Sequence, residues 1–271
     1  MAKIKFLVIK NMKDYLTPNI TVSESIDIIK DKIKTKTPFS FTRFGDGEIY
    51  ILNKNGYKYK DWEKRLCDDW GYNYPSDVDR AYNEVGNIIK YSLLNTDMVG
   101  IMSENHEIFN ISGMEFNPDT WSISLKKIEE LGGDINKLLV GEHMLPRYRE
   151  FGNIYEFSKI ISGNDIHIIS ARSENLKKKN LDEILGVRVG YTNHDYNINV
   201  DNRESIFKRF ETIKEPIVLL GTSILKDYGP ILSKNFGKIS LDFGATLDAW
   251  AGIYSRPWFH EGNTQEYLVI K

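Results

Sequence analysis

The sequence holds a single cysteine, Cys67, in 271 residues. One cysteine closes no internal disulfide and builds no cysteine-based zinc site, and it fits a reducing compartment, so a cytoplasmic protein is expected. Between Leu66 and Asp68 the thiol reads as a small buried hydrophobe rather than a nucleophile. Long apolar runs are missing as well. The basic N-terminal stretch has only four apolar residues in a row, Phe6-Leu7-Val8-Ile9, too few for the core of a signal peptide or a membrane span. Charge of one sign is also lacking: 36 Lys and Arg stand against 38 Asp and Glu, a formal charge of -2. No global field recruits nucleic acid or a membrane surface, and a polyanion would need a local site. Histidines are few and scattered. His106, His143, His167, His194 and His260 show no His-Glu-x-x-His spacing. His167 sits in an apolar strand and reads as structural, while His106 and His260 are open as ligands or bases. The Gly-Lys-Ser/Thr ending of a Walker loop and the Gly-x-Gly-x-x-Gly dinucleotide fingerprint are both absent.

What is present suits an α/β protein. At 41% hydrophobic and 27% charged, the chain is long enough to bury a sizeable core. Thr21-Val22-Ser23-Glu24 is a capping-box pattern, followed by Ile26, Ile29 and Ile33 at helical spacing. Ser76 reads as the cap of a helix with Val78, Tyr82, Val85, Ile89 and Leu93 on one face. Asn117 or Asp119 reads as the start of a helix through Leu131, stopped at Gly132-Gly133, and Pro146 as the start of one through Ile161. Apolar runs at Phe39–Phe44, Met98–Met102, Leu138–Val140, Ile166–Ile169, Val187–Val189, Ile217–Leu220 and Ile239–Asp242 read as strands. Between the later strands, Glu174–Leu185, Asp201–Ile213 and Ser223–Phe236 read as helices. Strands alternating with helices mean a mostly parallel, Rossmann-like sheet with helices on both faces. With no linker, repeat or low-complexity tract, residues 1–271 read as one domain, with an N-terminal part to about residue 160 and a C-terminal part from about 161.

The most informative stretch is Phe41-Thr42-Arg43-Phe44-Gly45-Asp46-Gly47-Glu48. An aromatic strand runs into a turn with glycine on both sides of Asp46, which frees the backbone and admits a ligand closely. In extended or turn backbone, carboxylates at i and i+2 point the same way. Such a pair suits a hard divalent cation completed by water and phosphate oxygens. The plainer reading is a solvated turn with a helix-capping acid. Arg43, costly beside Phe41 and Phe44 unless paired, either orients a carboxylate or grips a phosphate with its planar fork.

Other expected strand ends carry small polar loops, where open α/β sheets bind ligands. Gly221-Thr222-Ser223 reads equally as a plain turn or as a phosphate-approach loop at a helix N-terminus, and Ser170-Ala171-Arg172-Ser173-Glu174 reads the same two ways. Asp242-Phe243-Gly244 again places an acid and a glycine before a helix, either to admit a ligand or to cap and salt-bridge. Tyr50 and the aromatic segment Tyr57–Tyr74 suit acceptor stacking, core or interface. Arg256-Pro257-Trp258 suits a lid or a dimer contact, so a homodimer is one expectation.

The Phe41–Glu48 motif, together with the Leu241–Gly252 run and Arg256-Pro257-Trp258, resembles the bacterial GT-D glycosyltransferases, formerly classed as a domain of unknown function. The resemblance extends from about Ser23 to Phe259. It implies a GT-D-type Rossmann-like fold, a nucleotide-sugar donor, usually a UDP-sugar, and Mn²⁺ or Mg²⁺ held near an Asp-x-Glu motif, here Asp46-Gly47-Glu48. On that basis Asp46, Glu48 and Arg43 are the expected catalytic residues, with Asp46 and Glu48 as metal ligands. Gly45, Gly47, Ser170, Arg172, Gly221, Thr222, Ser223, Asp242 and Gly244 are expected to bind the nucleotide-sugar. A glycan or glycoprotein is the implied acceptor, and the Ser103–His106 and Glu142-His143 segments depart from better-known members. A metal-dependent phosphotransferase or phosphohydrolase, or a silent nucleotide-binding module, would use the same carboxylates.

Overall fold

The computed structural model describes residues 14–52, 62–103, 122–132, 138–140, 146, 148–194, 203–223 and 225–254, without the side chains of Asp46, Trp62, Arg65, Asp69 and Trp70. Among the described residues, seven strands form one sheet: β1 Phe39–Arg43, β2 Met98–Gly100, β3 Leu138–Val140, β4 Ile166–Ser170, β5 Val189–Asn193, β6 Ile217–Gly221 and β7 Ile239–Asp242. Their order is β3-β2-β1-β7-β6-β4-β5, and every pairing is parallel. The chain steps outward from β1 to β3, crosses to β4, and returns so that β7 lies against β1. Strand order therefore reverses between β1 and β7, the place where a parallel sheet opens a crevice at its carboxyl edge.

Side chains alternate between two buried faces, as the pleat requires. On one face Phe39, Phe41, Ile166, Ile168, Ile217 and Leu219 pack with Ile29, Ile33, Phe157, Phe243 and Trp250. On the other, Val218 and Leu220 pack with Phe210, Tyr228 and Leu232, while Val99 and Leu139 pack with Phe44, Val85 and Ile89. The polar residues of β1 are buried too. Ser40 Oγ donates to Asp97 Oδ2 at 2.7 Å and Thr96 Oγ1 donates to Thr42 Oγ1 at 3.1 Å, so neither is left unsatisfied in the core. Small side chains here have a second effect. A Cβ on Gly229 would lie 3.1 Å from Thr42 Oγ1, and Ser240 Oγ donates to Gly229 O at 2.7 Å. Helix Tyr228–Phe236 thus lies tight on β1 and β7, and its leading loop is held over the carboxyl edge.

The first helix, Val22–Thr35, has the full capping box between Thr21 and Glu24. Several other boundaries differ from the sequence pattern because side chains claim backbone groups. Asp77, not Ser76, precedes helix Val78–Asn95, and Ser76 Oγ donates instead to Asn73 O. Helix Leu125–Glu130 is capped by Ser124; Asn117, Asp119 and Trp121 lie outside the described residues. The helix expected from Pro146 divides into Arg149–Gly152 and Ile154–Ile161, because Asn153 accepts from Tyr155 N and Glu156 N and starts a new helix. Asn180, at φ 51°, separates Ser173–Lys177 from Leu181–Leu185. Arg188 donates its N–H to Asp165 Oδ1 at 3.0 Å, and β5 starts at Val189. Cys67, Tyr50 and Tyr72 are buried, while Tyr57 and Tyr59 lie outside the described residues. Among the described residues, no helix is long and apolar enough to cross a membrane.

Candidate functional site

The carboxyl edge gathers the loops after β1, β4, β6 and β7. Phe44 N donates to Gly100 O, after which helix Asp46–Leu52 begins. Positions 46 and 48 are therefore helical, which corrects the expectation of extended or turn backbone there: a helix turns about 100° per residue, so the two positions do not share a face. Glu48 reaches back, and Gly45 N donates to Glu48 Oε2 at 2.8 Å. This is the returning half of a capping box, built on glycine instead of Ser or Thr.

At the end of β7, Asp242 closes the other side. Arg43 donates to it twice, from its backbone N to Oδ2 at 3.3 Å and from Nη2 to Oδ1 at 3.2 Å. Gly244, at φ 48° and ψ −129°, takes a backbone conformation closed to other residues. A Cβ there would fall on the Arg43 guanidinium, with Cζ at 2.7 Å. Gly244 is thus required twice, by its dihedrals and by the arginine stacked on it.

The helix expected over Ser223–Phe236 starts later. Ser223 has φ 53°, and the helix begins at Tyr228, so Gly221-Thr222-Ser223 does not stand at a helix N-terminus. Thr222 Oγ1 donates to Leu225 O at 3.3 Å, tying the end of β6 to the loop that leads into the helix. That loop brings in Lys226, a residue the sequence reading did not single out. Its Nζ donates to Asp242 Oδ2 at 2.7 Å and lies 3.4 Å from Glu48 Oε1, and its carbonyl accepts from Ser92 Oγ at 3.0 Å. Lys226 is 6% exposed. Burial alone would raise the Asp242 carboxyl, but Arg43 and Lys226 outweigh it and hold its pKa below the ordinary value.

The site thus joins Arg43, Glu48, Lys226 and Asp242 in one ionic cluster on the strand-order reversal. Residues 20–250 match the GT-D-like family, described as a GT-D fold-like domain. The chain belongs to the GT-D-like family. A solved structure described as "The highly conserved domain of unknown function 1792 has a distinct glycosyltransferase fold" resembles it with a TM-score of 0.50 and 14% identity, covering 93% of this chain and 83% of that chain. A selenomethionine-substituted structure of domain of unknown function 1792 aligns over the same shares, with 13% identity and a TM-score of 0.47. A comparison with curated proteins finds no match. The GT-D-like chain accordingly has a glycosyltransferase fold.

In this GT-D-like fold the β4 loop lies apart from the ionic cluster but on the same edge. Ser170 Oγ accepts from Arg172 N at 3.0 Å, and Arg172 Nε donates to Asp248 Oδ1 at 3.3 Å. A Cβ on Gly221 would lie 3.1 Å from Ser170 Oγ, so the β4 and β6 ends touch. Gly47 lies in the first turn of the acidic helix. His167 is structural: it is buried, with Nδ1 3.1 Å from Glu215 Oε2 and Nε2 2.9 Å from Thr192 Oγ1, and burial lowers its pKa. His106, His143, His260, Glu104, Glu142 and Arg256–Trp258 lie outside the described residues. A cavity of about 680 Å³ lined by Lys34, Lys36, Lys159 and Asn164 is at the opposite, amino edge of the sheet, away from this chemistry.

Lys226 was missed for a clear reason. Within Ile224-Leu225-Lys226-Asp227-Tyr228 it looks like any polar residue of a helical stretch, and only the packing of helix Tyr228–Phe236 aims it at two carboxylates. The one available signal was Asp242, an acid ending an apolar strand, which calls for a cationic partner when buried.

Proposed function

We propose that the protein is a glycosyltransferase that moves a sugar from a nucleotide-sugar, a UDP-sugar by family resemblance, to a hydroxyl of a glycan or glycoprotein. The observation that carries this reading is the Arg43–Asp242–Lys226–Glu48 cluster on the carboxyl edge at the β1/β7 reversal, in a chain of the GT-D-like family. That edge is where a parallel sheet presents a nucleotide.

By donor chemistry the acidic helix fits a hard divalent cation. Among the described residues Glu48 Oε1 meets Lys226 Nζ at 3.4 Å, and carboxylate oxygens accept more than one partner. Glu48 would hold Mn²⁺ or Mg²⁺ through Oε1, with Asp46 added by family resemblance, directly or through water, and the ion would supply charge neutralisation at the leaving diphosphate. The chain's own cations serve the same end. Arg43 has a planar fork suited to a phosphate, but it is held on Asp242. It therefore orients that carboxylate in the resting site, and a bound diphosphate would compete with Asp242 for it. In the transfer, the acceptor oxygen forms the new bond to the anomeric carbon while the bond from that carbon to the diphosphate oxygen breaks. The electron pair leaves with the diphosphate, and the acceptor proton passes to a base. Positive groups already in place stabilise that departing charge without reorganising. The loops at Ser170–Arg172 and Gly221–Ser223 border the space beside it for the rest of the nucleotide.

The test is to incubate the protein with a panel of UDP-sugars, with and without Mn²⁺, and to follow UDP release and melting temperature. Metal-dependent stabilisation by UDP and sugar-specific UDP release are expected. Absence of any response to every nucleotide-sugar would sink the reading.

A further inference from the structure

We infer that Lys226 is a built-in cation that competes with a divalent metal for Glu48, so that metal binds together with the anionic donor rather than before it. The inference rests on the donor-and-metal reading above and goes beyond it by setting the order of binding.

The two contacts of Lys226 are unequal. Nζ is 2.7 Å from Asp242 Oδ2, a full charge-assisted hydrogen bond, and 3.4 Å from Glu48 Oε1, an ion pair without one. The lysine is anchored on β7 and leans on the acidic helix. Glu48 is anchored too, because its Oε2 accepts from Gly45 N, so its Oε1 is the atom left to face a cation. One carboxylate oxygen cannot serve an ammonium and a divalent ion equally, and two cations brought together there repel. The formal charges of the four clustered residues already cancel, with Arg43 and Lys226 against Glu48 and Asp242. Adding a metal alone makes that cluster positive. Adding a diphosphate with the metal restores the balance and offers the ammonium an alternative anion.

Lys226 also has little freedom to avoid this competition. It is 6% exposed, its carbonyl is tied to Ser92 Oγ at 3.0 Å, and the following helix is pinned on the sheet by Gly229. Its ammonium can exchange partners, but its backbone stays at the edge. The residue is therefore a positioning group for metal and donor, acting through Glu48.

The test measures Mn²⁺ binding directly, by the loss of the free-ion electron paramagnetic resonance signal on titrating MnCl₂ into the protein, with and without saturating UDP. In the wild type, Mn²⁺ alone binds weakly and UDP tightens it tenfold or more. In Lys226→Met, which keeps the side-chain length without the charge, Mn²⁺ alone binds at least tenfold tighter than in the wild type, and UDP adds little. Glu48→Gln in the Lys226→Met background removes the gain. Equal Mn²⁺ affinity in wild type and Lys226→Met would overturn the proposal, and so would no Mn²⁺ binding in either. If Lys226→Met does not fold, the wild-type titration decides alone: affinity for Mn²⁺ that is the same with and without UDP overturns it. UDP that binds with no effect on Mn²⁺ sinks only the Lys226 inference, whereas failure of UDP to bind under any condition sinks the donor reading as well.

Discussion

Lys226 Nζ lies 2.7 Å from Asp242 Oδ2, tying the loop before one helix to the last residue of a central strand. Asp242 is 5% exposed, and its other oxygen is taken by Arg43. Removing the acid takes a buried partner from Arg43 and leaves Lys226 only its longer contact to Glu48, so this residue holds the cluster together.

Asp242→Asn is expected to cost about 3–5 kcal/mol, the range for breaking a buried pair from one side, read as a lower urea midpoint. The wild type has a matching pH signature. A carboxyl held below its ordinary value contributes stability that is complete above the unfolded pKa of about 3.9 and lost as pH falls through the lower folded value. Acid unfolding of Asp242→Asn is therefore expected to lack the part of the wild-type transition below about pH 4. A variant as stable as the wild type at pH 7 would show that the pairings carry nothing.

Gly244→Ala is expected to cost about 1–3 kcal/mol from its backbone conformation alone. The new Cβ also displaces the Arg43 guanidinium, so the Arg43–Asp242 pair opens. Differential scanning calorimetry would read the loss, and an unchanged melting temperature would contradict the geometry.

Asp46→Asn and Glu48→Gln are both expected to abolish UDP release from the donor. Their stabilities are expected to part. Glu48 closes onto Gly45 N, and weakening a cap of this kind costs about 1 kcal/mol, whereas Asp46→Asn keeps the size of the side chain and is expected to melt close to the wild type. Full turnover in either variant would remove the acidic motif from the mechanism.

Asp227, beside Lys226, is 2% exposed, and Arg203 Nη1 donates to its Oδ2 at 2.6 Å. Burial raises its pKa to about 6, against the lowering effect of Arg203. The folded state then binds the proton more tightly than the unfolded state, so this group's contribution is fully present below about pH 4 and falls as pH rises through 6. A carboxyl resonance titrating near pH 6 is expected by carbon-detected NMR, and its absence in Asp227→Asn would assign it. A titration near 4 would show that Arg203 outweighs burial.

Much of the fold was legible because it rests on local periodicity. The Thr21–Glu24 box, the helical spacing of Ile26, Ile29 and Ile33, and the run Ile217–Leu220 each carry their own signal, and the rhythm of strands and helices implies a parallel sheet. Helix ends were harder to read. Asn153, Asn180 and Ser124 each move a boundary by bonding to nearby backbone groups or by taking a left-handed conformation, choices that many sequences of similar composition leave open. The acidic motif was legible as a motif but not as a shape: two glycines suggested a free turn, and the backbone instead enters a helix at Asp46.

By itself the sequence determined the class of the sheet, the strand ends that bear small polar loops and the presence of Arg43, Asp46 and Glu48 at one of them, because adjacent residues and short periods decide these. Only the tertiary structure decided what Arg43 pairs with and that Lys226 belongs to the site. Asp242 is 199 residues from Arg43 in sequence. The two meet because β7 returns to lie beside β1, and Lys226 joins them because Gly229, Thr42 and Ser240 let a helix lie close enough to aim it. Partners brought together by strand order and close packing leave no local pattern, so no window of the sequence could show this cluster.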